Sequence, residues 1–110
     1  MKPKSPSALV YQALTATQII AKLAQIPGWT LSGDGAAVAI EKTFHRSDFL
    51  ETMAFVNAVA YIAHRRNHHP ELQVSFNRCC VRWNTHDVQG ISMTDFDCAA
   101  EVDALINPDT

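Results

Sequence analysis

The stretch "ELQVSFNRCCVRWN", Glu71 to Asn84, leaves this chain little freedom in how it folds. Leu72, Val74 and Phe76 alternate with Gln73, Ser75 and Asn77, and then Cys79, Val81 and Trp83 alternate with Cys80, Arg82 and Asn84. A period of two suits a strand, whose successive side chains stand on opposite faces. The segment therefore predicts a β-hairpin with one apolar face, and that face needs a cover of helices. The other face is left for solvent or a partner.

The flanking segments supply the cover. In "TATQIIAKLAQ", Thr15 and Gln18 have capping-box spacing, and Ile19, Leu23 and Ile26 fall on one face. A short helix ended by Pro27-Gly28 is expected. "WTLSGDGAAVAIEKTF" reads as another hairpin, with Trp29 and Leu31 before a turn from Ser32 to Gly35, and Val38, Ile40 and Phe44 after it. Ser47 is placed to cap a long helix running to about Arg66, with Asp48 and Glu51 favouring its N-terminus. Phe49, Met53, Val56, Ala60 and Ala63 make its expected core stripe. Phe55, Val59 and Ile62 widen the apolar surface, which favours a partner for the helix. A last helix capped near Ser92 turns Phe96, Ala99, Val102 and Leu105/Ile106 inward. The expected order is α-β-β-α-β-β-α: an α+β single domain over 11–107, with a four-stranded antiparallel sheet and helices packed on one face. Residues 1–10 read as a flexible tail.

Hydrophobic residues make up 47% of the 110 and charged residues 18%, which argues for a folded domain and against disorder. A formal charge of −2 gives no general attraction to nucleic acid or to an anionic membrane. The opening "MKPKSPSALV" carries no sustained apolar run, so neither a signal peptide nor a membrane span is expected. Cys79 and Cys80 would point to opposite faces of one strand and are poorly placed to bridge. With Cys98 they fit reduced thiols in a cytoplasmic protein.

Three of the five histidines lie within six positions, in "HRRNHHPEL", and a fourth follows in "WNTHDVQG". His64 and His68 are one helical turn apart and share a face if the helix extends that far. Pro70 stops the helix. Hairpin topology can bring the loop holding His86 against this helix end, lining one cleft with imidazoles. Three readings stay open on the residues alone. These can be helix-terminal and loop histidines without a function, His68 being electrostatically welcome near a helix C-terminus. They can hold a metal, since His-x3-His is ligand spacing, although no nearby Cys or carboxylate completes a clear set. Or they can be a metal-free acid/base site working near neutral pH.

The segment "HRRNHHPELQVSFNRCCVRWNTHDVQGISMTD" resembles the signature of the pterin-4a-carbinolamine dehydratases. The family pattern falls on His64, His68-His69-Pro70, Phe76, Thr85-His86-Asp87, Gly90, Ile91-Ser92 and Asp95. "PGWTL" and "KTFHRSDFLETMAFVNAVA" extend the resemblance over about residues 14 to 106. The sequence departs from it at His64, where relatives mostly have glutamate, and at Leu72, where tryptophan is frequent. The resemblance implies dehydration of a 4a-hydroxy-tetrahydropterin to a quinonoid dihydropterin plus water, in tetrahydrobiopterin recycling, with neither cofactor nor metal. It implies a catalytic set of His68, His69, His86 and Asp95. Within it His68 and His86 form the acid/base pair, His69 binds and orients the pterin, and Asp95 positions an imidazole. It implies substrate contacts from His64, Pro70, Trp29, Thr85 and Asp87, with Trp29 covering the ring unless it is a core residue. A homodimer or homotetramer is expected, with no direct nucleic-acid or membrane partner. The alternative is a non-catalytic binding module, because relatives also serve as dimerisation partners of a homeodomain transcription factor.

Overall fold

The computed structural model describes residues 12–106, so the expected tail at 1–10 lies outside the described residues. Helix α1 spans Ala16–Leu23 behind the full capping box of Thr15 and Gln18. Strand β1 (Thr30–Ser32) and strand β2 (Ala39–His45) form the first hairpin, and helix α2 (Phe49–Arg66) follows. Strands β3 (Glu71–Ser75) and β4 (Arg78–Trp83) form the second hairpin, and helix α3 (Met93–Ile106) completes the order. The sheet is four-stranded and antiparallel throughout, in the order β1-β2-β4-β3. The first turn depends on Gly33, whose φ is +75° and whose absent Cβ would lie 2.5 Å from the Ala37 carbonyl oxygen.

Alternation sorts the sheet as the sequence requires. Ile40 sits opposite Trp83 and Phe44 opposite Cys79, all buried on the face that α2 and α3 cover. Glu41 sits opposite Arg82, and Arg82 opposite Glu71, on the other face. Val59 of α2 with Ala99 and Val102 of α3 seals the core against Ile40, Val81 and Trp83. β1 and β3 are the edges, and Leu31, Val74 and Phe76 stay substantially exposed there.

Three local expectations are corrected. Asp48, not Ser47, caps α2: its side chain accepts from the Glu51 N–H at 2.8 Å. The inward face of α2 is Thr52, Phe55, Val59, Ile62 and Ala63, roughly a quarter turn from the expected stripe. Phe49 is exposed and Ala60 lies outside, whereas Phe55 and Val59 are core rather than a partner's surface. The cause is Thr52, a polar residue that reads as surface. Its hydroxyl is satisfied by the Asp48 carbonyl at 2.8 Å and the Phe76 carbonyl at 3.0 Å, so it is buried at no polar cost. In α3, Phe96, Ala99 and Val102 face inward as expected, while Leu105 is exposed.

Candidate active site

The end of α2 decides where the histidines go. Asn67 takes the left-handed conformation (φ 49°), the His68 N–H reaches the Ala63 carbonyl at 3.1 Å, and the Asn67 N–H reaches that of His64 at 3.2 Å. This is the Schellman arrangement, with asparagine tolerating the positive φ. The helix therefore does not carry His64 and His68 on one face: the chain reverses between them. His64 is left exposed on the last turn, and His68 is turned inward.

His68 stacks on Trp83, with ring planes 8° apart and centroids 5.6 Å apart. Its Nε2 lies 2.6 Å from Oδ1 of Asp95, which is fully buried at the start of α3. The other oxygen of Asp95 accepts from the Thr85 hydroxyl at 2.6 Å and from the Ser92 N–H at 2.9 Å. Because Thr85 spends its one proton on Asp95, the Ser92 hydroxyl donates to Thr85 across their 2.7 Å contact. A carboxylate accepts only, so Nε2 of His68 is the donor, and when the ring is neutral its lone pair lies on Nδ1. The indole N–H of Trp83 is buried without a partner among the described residues. Such a donor costs about 1–3 kcal/mol, and the broad face that indole offers His68 offsets part of that.

The third histidine arrives from β4. After Trp83 the chain makes a short 3-10 turn at His86–Val88, with Gln89 left-handed (φ 51°), and closes on itself where the Thr85 N–H meets the Gly90 carbonyl at 2.8 Å. This puts His86 and Asp87 on the rim and sends Thr85 inward to Asp95. Two adjoining hollows result. The smaller, about 240 Å³, is lined by Asn67, His68, His69, Thr85, His86 and Asp87. The larger, about 360 Å³, is lined by His69, Pro70, Glu71, Arg82 and His86 with Ala36, Ala37 and Ala39. Asn84 belongs to both.

The structure thus gathers His68, His69, Pro70, Thr85, His86, Asp87 and Asp95 in one place. It does not bring His64 or Trp29 there. Trp29 is buried against Phe44, 5.9 Å between ring centroids, and its indole N–H donates to Asp103 at 3.0 Å. Asn84, Arg82 and Glu71 line the cleft without having been singled out. Asn84 donates to the Val38 and Ala36 carbonyls at 2.6 and 3.4 Å. Arg82 binds Glu41 through Nε and Glu71 through Nη1, both at 2.8 Å. The Glu41 carboxyl is held below its ordinary range by the hydrogen bond from Ser32, against the opposing effect of burial, and by Arg82. A polar residue on the solvent face of a strand is the only signal these positions give in sequence.

No group of three or more His, Cys, Asp and Glu side chains among the described residues is arranged to hold a metal ion. No described helix is long and apolar enough to cross a membrane.

Residues 12–105 match the family described as pterin 4 alpha carbinolamine dehydratase. A Paracidovorax citrulli protein provisionally named pterin-4-alpha-carbinolamine dehydratase is 57% identical over 103 residues, covering 94% of this chain and 89% of its own. A Bdellovibrio bacteriovorus protein with the same provisional name is 47% identical over 100 residues, covering 87% and 80%. Among solved structures, a transcriptional coactivator/pterin dehydratase from Brucella melitensis superposes with a TM-score of 0.80 at 28% identity, over 86% of this chain and 98% of that one. A pterin dehydratase-like RuBisCO assembly factor of the alpha-carboxysome shares the fold, with a TM-score of 0.62 at 21% identity over 73% and 90%.

Proposed function

The chain belongs to the pterin-4a-carbinolamine dehydratase family, and from that premise we propose that it dehydrates a 4a-hydroxy-tetrahydropterin to quinonoid dihydropterin and water, as a recycling step for tetrahydrobiopterin. The N5 lone pair of the substrate forms the C4a=N5 bond as the C4a–O bond breaks. A protonated imidazole supplies the proton with which the hydroxyl leaves as water, and a neutral imidazole takes a proton from the resulting pterin cation. His68 and His86 are the proton-transfer pair, and His69 between them orients the ring. Asp95 fixes the His68 tautomer, and Thr85 and Ser92 fix Asp95. Pro70 and Asp87 are walls of the cleft.

The observation that carries this reading is the buried carboxylate that holds His68 by Nε2 at 2.6 Å beside the rim histidines. Surface histidines without a function need no such support. General acid–base assistance of this kind supplies on the order of 10²–10⁴-fold, which suits a shallow cleft. The test is the dehydration rate of 4a-hydroxy-tetrahydropterin with and without the protein. Acceleration that disappears in the His68→Ala, His86→Ala double variant is expected. Full activity in that variant would sink the assignment.

Homo-oligomerisation and a cytoplasmic location belong to the same proposal. Leu50 and Tyr61 stay 79% and 64% exposed on the outward side of α2, with Ala54 and Ala58 between them at helical spacing. That stripe, not the buried Phe55 and Val59, is the surface for a second copy. Sedimentation is expected to give a multiple of 12.2 kDa, reduced by Leu50→Glu. The same stripe supports the second reading, a binding module for a different protein. It becomes the better one if no turnover is found. The free thiols of Cys79, Cys80 and Cys98 fit a reducing compartment.

A further inference from the structure

We infer that Trp83 is a positioning residue for the proton transfer: the flat face of its indole sets the plane of the His68 ring, and with it the direction in which Nδ1 acts. This rests on the dehydratase reading and adds to it a residue that holds His68 by its face rather than by a polar group.

A single hydrogen bond does not fix a ring. Two torsions place an imidazole on its backbone. The 2.6 Å bond from Nε2 to Asp95 holds one atom of the ring, and a rotation about the line from Cα to Nε2 is left over. That rotation swings Nδ1 through an arc while the bond to Asp95 survives. The indole opposes it. Its plane lies 8° from that of His68 with the centroids 5.6 Å apart, an offset stack in which any turn of the imidazole drives one edge into the indole and lifts the other off. Trp83 cannot follow such a turn. It is fully buried opposite Ile40 in the sheet, in the same packed core as Val81.

Two further observations favour the face over simple filling of space. Trp83 and Thr85 are two residues apart and both fully buried, one meeting the face of His68 and the other holding the carboxylate at its edge. One short segment thus sets both the position and the plane of the ring. The indole N–H, moreover, is buried without a partner among the described residues, so tryptophan forfeits here a hydrogen bond that phenylalanine or leucine would not need. That loss makes sense where a wide planar surface is what the position requires. The surface also suits the ring in both of its states. A neutral imidazole stacks on it, and an imidazolium is drawn to the π cloud within the reach of about 6 Å over which cations feel an aromatic face. His68 therefore keeps its place as its proton comes and goes.

The experiment compares the wild type with Trp83→Leu and with a protein in which benzothienylalanine replaces Trp83, keeping the bicyclic face and exchanging the N–H for sulfur. Dehydration of a 4a-hydroxy-tetrahydropterin gives kcat and KM. Nitrogen and side-chain resonances give the His68 tautomer and the mobility of its ring, all below the melting temperature of each protein. Trp83→Leu is expected to lower kcat on the order of ten- to a hundredfold with KM little changed. It should broaden the His68 ring resonances yet leave the proton on Nε2, since Asp95 still holds it. The benzothienyl protein is expected to recover both the rate and the sharp resonances. A kcat within twofold of wild type in Trp83→Leu overturns the inference while leaving the dehydratase reading intact. So does a benzothienyl protein as slow as the leucine one, which would assign the effect to the N–H. A switched tautomer in Trp83→Leu overturns it too, because the loss then runs through Asp95. Where Trp83→Leu does not fold, Trp83→Phe, with its smaller face, takes its place under the same criteria. If the wild type turns over no 4a-hydroxy-tetrahydropterin, the dehydratase reading falls and the resonances alone decide. Sharp lines in wild type with broad ones in the leucine variant then keep Trp83 as the residue that sets the ring plane, and equal line shapes overturn it.

Discussion

Asp95→Asn removes one charge and almost no volume, and the surrounding bonds dictate what it does. The Ser92 N–H and the Thr85 hydroxyl both donate to Oδ2. An amide nitrogen turned toward them would face two donors, so the amide oxygen keeps that side. The amide nitrogen must then face Nε2 of His68, 2.6 Å away in the native protein. Two donors cannot share that contact, and His68 escapes by moving its ring proton to Nδ1. The lone pair leaves Nδ1, the nitrogen that the proposed mechanism uses for proton transfer, and the ring remains packed on Trp83 in the other tautomer. The same logic in carboxylate-oriented histidines elsewhere puts the loss of turnover at about 10²–10⁴-fold. Replacing a charge-assisted bond by a neutral one in a fully buried site also costs about 1–3 kcal/mol of stability. In a domain of this size each kcal/mol lowers Tm by roughly 4–8 °C. The assay is single-turnover dehydration well below both melting temperatures, with the His68 tautomer read from ¹⁵N chemical shifts. A fall in kcat with KM little changed, together with a tautomer switch, is expected. A switched tautomer with kcat within twofold of wild type would refute the role given to His68.

His64 lines neither hollow, so His64→Glu should leave the pH–rate profile superimposable on that of wild type. A shifted acidic limb would return His64 to the site. Burial pushes the Cys98 thiol up to about 12 and the Cys79 thiol up to about 11, so at pH 8 a thiol reagent should modify the half-buried Cys80 first. Mass spectrometry should find one rapid adduct on the native protein and three after denaturation. Glu41 has a folded pKa below its ordinary value of 4.5, so its contribution to stability is present above that pH and is lost as pH falls through the folded value. Urea midpoints at pH 7 and pH 3.5 should therefore differ less in Glu41→Gln than in wild type.

What could be read from the sequence, and what could not, follows a physical division. Strand alternation gives Cys79, Val81 and Trp83 a buried face and Arg82 the opposite one, because a period of two is local and a slip by one residue would expose the whole set. The helices were legible as elements, but the rotation of α2 was not. Its apolar residues cover much of its circumference, and the choice between stripes falls to Thr52, whose hydroxyl needs a carbonyl 24 residues away. No local pattern contains that partner. The histidines illustrate the same limit at the site. His64 and His68 share a face only if the helix continues, and one left-handed residue, Asn67, separates them. Asparagine before a His-His-Pro run is a C-terminal signal in its own right, so this reversal was within reach of sequence reasoning.

The departures from the family pattern acquire a meaning from the same geometry. A residue that has left the cleft can vary, and His64 stands where the chain is already turning outward. The three polar groups that serve Asp95 come from Ser92 beside it, Thr85 after β4 and His68 before β3, all of them within the resemblance. Arg82 and Glu41, by contrast, meet only because β2 and β4 are neighbours in the sheet, and neither position belongs to the signature. On the proposed mechanism, the groups that move the proton are therefore held by residues the signature names. The Arg82–Glu41 pair on the open face is held by strand register alone, and there the sequence can change without disturbing the pairing of His68 with Asp95.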